Sequence, residues 1–141
     1  MAKTTRSKLI KKLDTNFSII CRTRDMMCLC DGKPVADIKE LDCHHWIHGR
    51  KNIKYRWDLR NLVSLKKGNH MFKIHSDSKV IADNAYKEVY NRAIGNILTE
   101  NEYNEIYSDI EGHQLPYKQS IAELEELLKK SNEIVKKIKK M

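Results

Sequence analysis

Five of the six histidines in this 141-residue chain fall between Leu41 and His75, at positions 44, 45, 48, 70 and 75. Imidazole is both a metal ligand and, when neutral near pH 7, a proton acceptor, so such a cluster suits hydrolysis assisted by a divalent cation. Breaking a phosphodiester needs a base to activate water, a Lewis acid on the oxygens, and something to hold the loop between them. His45 is the candidate base, His44 and His70 are the candidate ligands of one cation, and Asn61 completes the catalytic set. The Asn61 amide can donate and accept at once, which fits it to bond backbone across the loop rather than to touch substrate. A neutral imidazole base predicts activity that declines below about pH 6.5.

Two spacings constrain that site. Adjacent residues on a regular strand point to opposite faces, so His44 and His45 serve one site only where the strand ends or bends. Trp46 and Gly49 make such an ending plausible. Five residues along an α-helix turn through about 140°, so His75 is a third ligand only if the helix has ended or loosened after His70. Asp77 lies two turns on from His70, too distant for the same ion. His48 is a candidate for contacting phosphate, and His113 reads as an ordinary surface residue.

The elements that must position these residues follow from hydropathy. Apolar alternation around Leu41 and Trp46, and again in Leu62-Val63-Ser64-Leu65, predicts two short strands, and Asn69 to Ile74 reads as the start of a helix. Before them, Leu9, Ile10, Leu13, Phe17, Ile20 and Cys21 recur at helical spacing between Ser7 and Asp25, followed by a turn at Asp31-Gly32-Lys33-Pro34. Between the strands, His48 to Arg60 is too polar for a core element and reads as a loop with Lys and Arg aimed outward. After the histidines, Ser78 precedes a helix carrying Ala82 to Ile97. Thr99 to Glu102 and Ser120 to Glu123 have capping-box spacing and open two more helices. The stripe Ile121, Leu124, Leu128, Val135 and Ile138 of the last helix, interrupted by Ser131, is expected to pack within the chain rather than to dimerise. The expected fold is α+β, with a small ββα-metal core at 34–78 flanked by a basic N-terminal helix and turn at 1–33 and a helical extension at 79–141, all in one domain.

Net charge is +8 but unevenly spread. Residues 1–25 hold seven Lys/Arg against two acids, and residues 44–75 hold eight against Asp58 alone, whereas 76–141 is slightly acidic. A polyanion meeting the basic helix and the histidine stretch is the expected partner. Arg50, Lys51, Lys54, Arg56, Arg60, Lys67 and Lys73 are the candidate phosphate contacts; such contacts carry little sequence information. No apolar run approaches a membrane span and no signal peptide is evident, so a cytoplasmic protein without a membrane partner is expected. Cys21, Cys28, Cys30 and Cys43 then read as reduced thiols; a four-ligand structural zinc is the alternative, although only one C-x-C pair is present.

Longer segments resemble a known family. Lys12-Leu13-Asp14 to Phe17-Ser18 with Arg22-Thr23-Arg24-Asp25, then Leu41 to Ile47, Tyr55 to Asn61, and Pro116-Tyr117-Lys118 with Ile121 to Leu127 resemble, in order, motifs of the phage NinG/Rap recombination endonucleases. The order His, Asn, His on a ββα unit resembles HNH nucleases generally. The resemblance implies a phage-encoded endonuclease acting in the host cytoplasm on branched DNA such as Holliday junctions. It also implies a homodimer and a divalent metal, Mg2+ or Mn2+, with Zn2+ as the other option. That family tends to carry CxxC pairs where this chain has Cys28 to Asp31 and Lys66 to Asn69, which implies that its structural zinc is missing here. His44 and His70 stand where the family has Gly and Asn, which moves the chain towards the ligand set of colicin-type HNH nucleases. The competing expectations are an inert DNA-binding recombination accessory and a zinc-stabilised adaptor with no nucleic acid partner.

Overall fold

The structure, a computed structural model, describes residues 2–47, 53–69, 73–112 and 119–140. It is α+β. Helix α1 spans Ala2–Asp25, strands β1 and β2 span Leu41–His45 and Leu62–Lys66, and a short helix α2 follows at Lys67–Asn69. Helices α3 (Lys79–Ala93), α4 (Glu100–Gly112) and α5 (Ile121–Lys139) complete the order.

The strands pair antiparallel, with Asp42 opposite Leu65, Cys43 opposite Ser64, His44 opposite Val63 and His45 opposite Leu62. Directly paired residues share a face. One face of the ribbon therefore carries Cys43, His45, Leu62 and Ser64, and the other carries Asp42, His44, Val63 and Leu65. Helix α1 covers the first, because its buried stripe of Leu9, Leu13, Phe17 and Cys21 forms one core with Leu62, Trp57 and Leu124. The second face belongs to a separate core in which Val63 and Leu65 meet Ala85, Val89 and Ala93 of α3 and Ile106 of α4. A two-stranded ribbon is marginal alone, so helices on both faces are what hold it.

The last helix packs within the chain, as its stripe predicts. Helix α5 runs parallel to α1: the Arg6 guanidinium donates to the Gln119 carbonyl at 2.7 Å, and Asn16 Nδ2 donates to Ser131 Oγ at 2.9 Å and Asn132 Oδ1 at 2.7 Å. Ser131 interrupts the apolar stripe because it meets a buried amide. The capping residues read from sequence also do their work. Ser78 accepts from Ile81 N, Thr99 and Glu102 exchange bonds at 3.1 and 3.0 Å, and Ser120 and Glu123 both at 3.1 Å.

The turn after α1 closes with Cys28 N donating to Lys33 O at 3.0 Å and Gly32 N to Cys28 O at 2.8 Å. Gly32 has φ +74, which favours glycine, and a Cβ there would lie 2.7 Å from Arg92 Nε and push that side chain aside. The Arg92 guanidinium donates to the Leu29 and Cys30 carbonyls at 3.1 and 2.8 Å, tying this turn to α3.

Two sequence expectations are corrected here. The helix after β2 begins at Lys67 rather than Asn69, and the 53–61 stretch is not a plain outward loop: it forms two 3₁₀ turns, Ile53–Tyr55 and Leu59–Asn61.

Candidate active site

Asn61 is fully buried, which fixes its role. Its Oδ1 accepts from Ile47 N at 2.8 Å and its Nδ2 donates to Tyr55 O at 3.1 Å. Trp46 N donates to the Asn61 carbonyl at 3.1 Å, and Trp46 Nε1 to the Arg60 carbonyl at 2.8 Å. The end of β1 is thus sewn to the start of β2, and Asn61 is a positioning residue held by backbone on both amide arms.

His44 and His45 are the last two residues of β1, and their side chains leave on opposite faces. His44, 9% exposed, meets His75 edge to face with ring centres 5.5 Å apart and lies 6.2 Å from the Tyr86 ring. His45 is half-buried, and its Nε2 bonds the Arg56 carbonyl at 2.8 Å. Because a carbonyl only accepts, the proton sits on Nε2 and the lone pair on Nδ1 in the neutral ring. His45 also lines a cavity of about 140 Å³ together with Asp14, Cys43, Arg56 and Trp57.

The carbonyl that holds His45 is itself held by α1. Arg56 forks onto Asp14 at 3.0 and 2.6 Å, and Trp57 Nε1 donates to the same carboxylate at 2.9 Å. Asp14 was not among the candidate site residues. The Lys12-Leu13-Asp14 segment was the only signal for it, and nothing local says that its partner lies 42 residues away.

The described turn before His75 is not α-helical. Lys73 and Ile74 are π-helical, with a hydrogen-bonded turn wider than the α-helix. His70 itself, with His48, Arg50, Lys51 and His113, lies outside the described residues.

Do the residues present fit a divalent ion? At a metal–nitrogen distance of about 2.1 Å, two imidazoles on one tetrahedral ion have ring centres roughly 5 Å apart. The 5.5 Å between His44 and His75 is of that size. Among the described residues no group of three His, Cys, Asp or Glu surrounds a common point, so His44 and His75 could give an ion at most two donors. The cysteines form no alternative four-thiolate centre: Cys28 and Cys30 sit in the α3-side core, while Cys21 and Cys43 sit on the α1 side. The contact with Cys43 and burial push the Cys21 thiol well above its ordinary range.

Several candidate phosphate contacts are engaged within the chain. Lys54 pairs with Asp109 at 2.7 Å, Arg56 with Asp14, and Arg60 with Asp58 at 2.7 Å and Glu102 at 3.2 Å. Arg60 is correspondingly raised further above its already high range, chiefly by its bond to Asp58. Arg56 in particular points inward, with its side chain 15% exposed, which corrects the outward reading of that stretch. Lys67 pairs with Asp42 at 2.9 Å but remains mostly exposed, and Lys73 is exposed beside the His75 turn.

Comparison with known proteins returned no matching family model, no matching curated protein and no matching solved structure. Among the described residues, no helix is long and apolar enough to cross a membrane.

Proposed function

We propose that this chain is a divalent-metal-dependent DNA endonuclease of HNH type, in which β1, β2 and the helix after β2 form the ββα-metal core. The convergence of His44 and His75, 31 positions apart in the chain, on a ribbon face next to the π-helical turn carries the reading. His44 and His75 hold the cation with His70. A cation bound there supplies Lewis acidity to the phosphodiester oxygens. His45, the last residue of β1, leaves the ribbon on the face opposite His44, so it serves this cation only from the strand's end, where its Nδ1 takes the proton of the attacking water while Nε2 is committed to the Arg56 carbonyl. Asn61 keeps the strand ends together, and Asp14, through Arg56, keeps His45 in register. Exposed Lys67 and Lys73 contact phosphate. The substrate is DNA at branched recombination intermediates such as four-way junctions.

The test is nicking of supercoiled plasmid and of four-way junction DNA by purified protein with Mg2+, Mn2+ or EDTA. Wild type cleaves with metal and not with EDTA, while His45→Ala abolishes cleavage and keeps DNA affinity within a few fold. Full cleavage by purified His45→Ala rules out the assignment of the base. An intact protein that binds DNA but never cleaves it is instead an inert accessory.

A further inference from the structure

The face of α1 turned away from the sheet is lysine-rich. Lys8, Lys11, Lys12 and Thr15 of α1, with Asn16 and Asn132 from the α1–α5 contact, line a groove of about 250 Å³. Positions 8, 11 and 12 share one helix face by their spacing. None of the three lysines forms an ion pair among the described residues. The two acids of α1 are directed elsewhere: Asp14 is held by Arg56 and Trp57, and Asp25 by Arg24 and the Ser64 amide. On α5, the exposed Lys129 and Lys136 flank Asn132 at three and four residues, with Glu125 one turn before Lys129, so the positive charge of the groove comes chiefly from α1. The floor is polar as well, because the nearly buried Asn16 spends both amide protons on Ser131 and Asn132.

From this geometry we propose that the α1–α5 groove is a second nucleic-acid site, seating the phosphate backbone of a duplex on the side of the molecule away from His44 and His75. The α1 ammonium groups, which form no ion pair among the described residues, release counterions when phosphates replace them, and the exposed Asn132, whose Oδ1 accepts from Asn16, turns its amide N–H groups to phosphate oxygens. An anionic bilayer is the weaker fit: the apolar residues of α1 are buried against the sheet and α5, which leaves no apolar face to enter a membrane. The site rests on the reading that DNA is the partner, but it does not depend on cleavage.

Fluorescence anisotropy in EDTA with a labelled duplex of about 25 base pairs tests it, across a salt series. The variant K8E/K11E/K12E weakens binding by about tenfold or more at ~0.1 M salt and lowers the slope of log K against log salt by about 2 to 3. K8Q/K11Q/K12Q falls between it and wild type, with an unchanged melting temperature showing that the fold is intact. The control K39E/K79E/K87E, with the same charge change at exposed lysines elsewhere, stays within about twofold. Equal weakening by the control, or groove variants that bind like wild type, overturns the site. Capture by phosphatidylserine vesicles without duplex binding overturns it too. Loss of duplex binding in the groove variant together with a negative nicking assay removes the nuclease and leaves the groove standing. Nicking that persists beside unchanged duplex binding does the reverse.

Discussion

At the scale of single residues, Asn61 shows how a polar side chain becomes structural. Its amide satisfies two backbone groups, the buried Ile47 N–H and the partly buried Tyr55 carbonyl, one on each side of the loop. Removing it leaves the Ile47 N–H and the Tyr55 carbonyl without that partner, at a cost of about 1–3 kcal/mol for each buried group. Asn61→Ala is therefore expected to destabilise the protein by roughly 2–4 kcal/mol, read from urea unfolding with an unchanged slope. A loss below about 0.5 kcal/mol would show that water or a neighbour replaces the amide. This role was legible in the sequence, because an Asn between a polar loop and an apolar strand has an obvious use for both ends of its amide. The role of Arg56 was not. A charged residue in a polar loop reads as solvated until its carboxylate partner is known, and Asp14 lies in a helix 42 positions earlier.

At the scale of elements, the ribbon depends on what covers it. Leu124 of α5 is 1% exposed in the core shared by α1, Trp57 and Leu62, so α5 braces the helix that in turn orients His45 through Asp14 and Arg56. Leu124→Ala is expected to cost about 2–5 kcal/mol. Differential scanning calorimetry measures it, and a near-unchanged melting temperature would mean that α1 holds the ribbon without α5. The loop is tied to α4 by a second link, in which Lys54 and the Tyr55 hydroxyl both bond Asp109. Burial, and then the bond to Asp109, push the Tyr55 hydroxyl up to about 12. A raised value means that the folded state holds this proton more tightly. The contribution is thus fully present below the ordinary tyrosine range near pH 10 and is lost as pH climbs towards about 12. Tyr55→Phe should flatten the fall in stability between about pH 10 and 12; an identical alkaline profile in the variant would assign that fall to other groups. Helix boundaries and caps were readable because cap chemistry is local: Ser78, Thr99 with Glu102, and Ser120 with Glu123 act within three residues of themselves. The π-helical turn at Lys73 and Ile74 was not readable, since a widened turn leaves no periodicity of its own in so short a stretch.

At the scale of the whole molecule, the two faces of one small ribbon divide the labour. One faces α1 and carries His45; the other faces α3 and carries His44, which meets the exposed His75. The sequence pattern foresaw an α+β chain, both strands and a basic first helix, because periodicity and charge are read residue by residue. It did not foresee that Lys54, Arg56 and Arg60 would be spent on internal carboxylates, since pairings over such separations arise only when the chain closes. Among the described residues the cationic surface left for a polyanion is accordingly narrower than composition suggests, and it lies along α1 and beside the His75 turn. Everything proposed for cleavage rests on one ion shared between a strand and the turn beyond it. Calorimetric titration of Mn2+ into wild type, His44→Ala, His75→Ala and His45→Ala measures that directly. One site per chain is expected, weakened by at least about tenfold in the first two variants and changed by no more than about twofold in His45→Ala. Wild-type affinity retained in both His44→Ala and His75→Ala would contradict it.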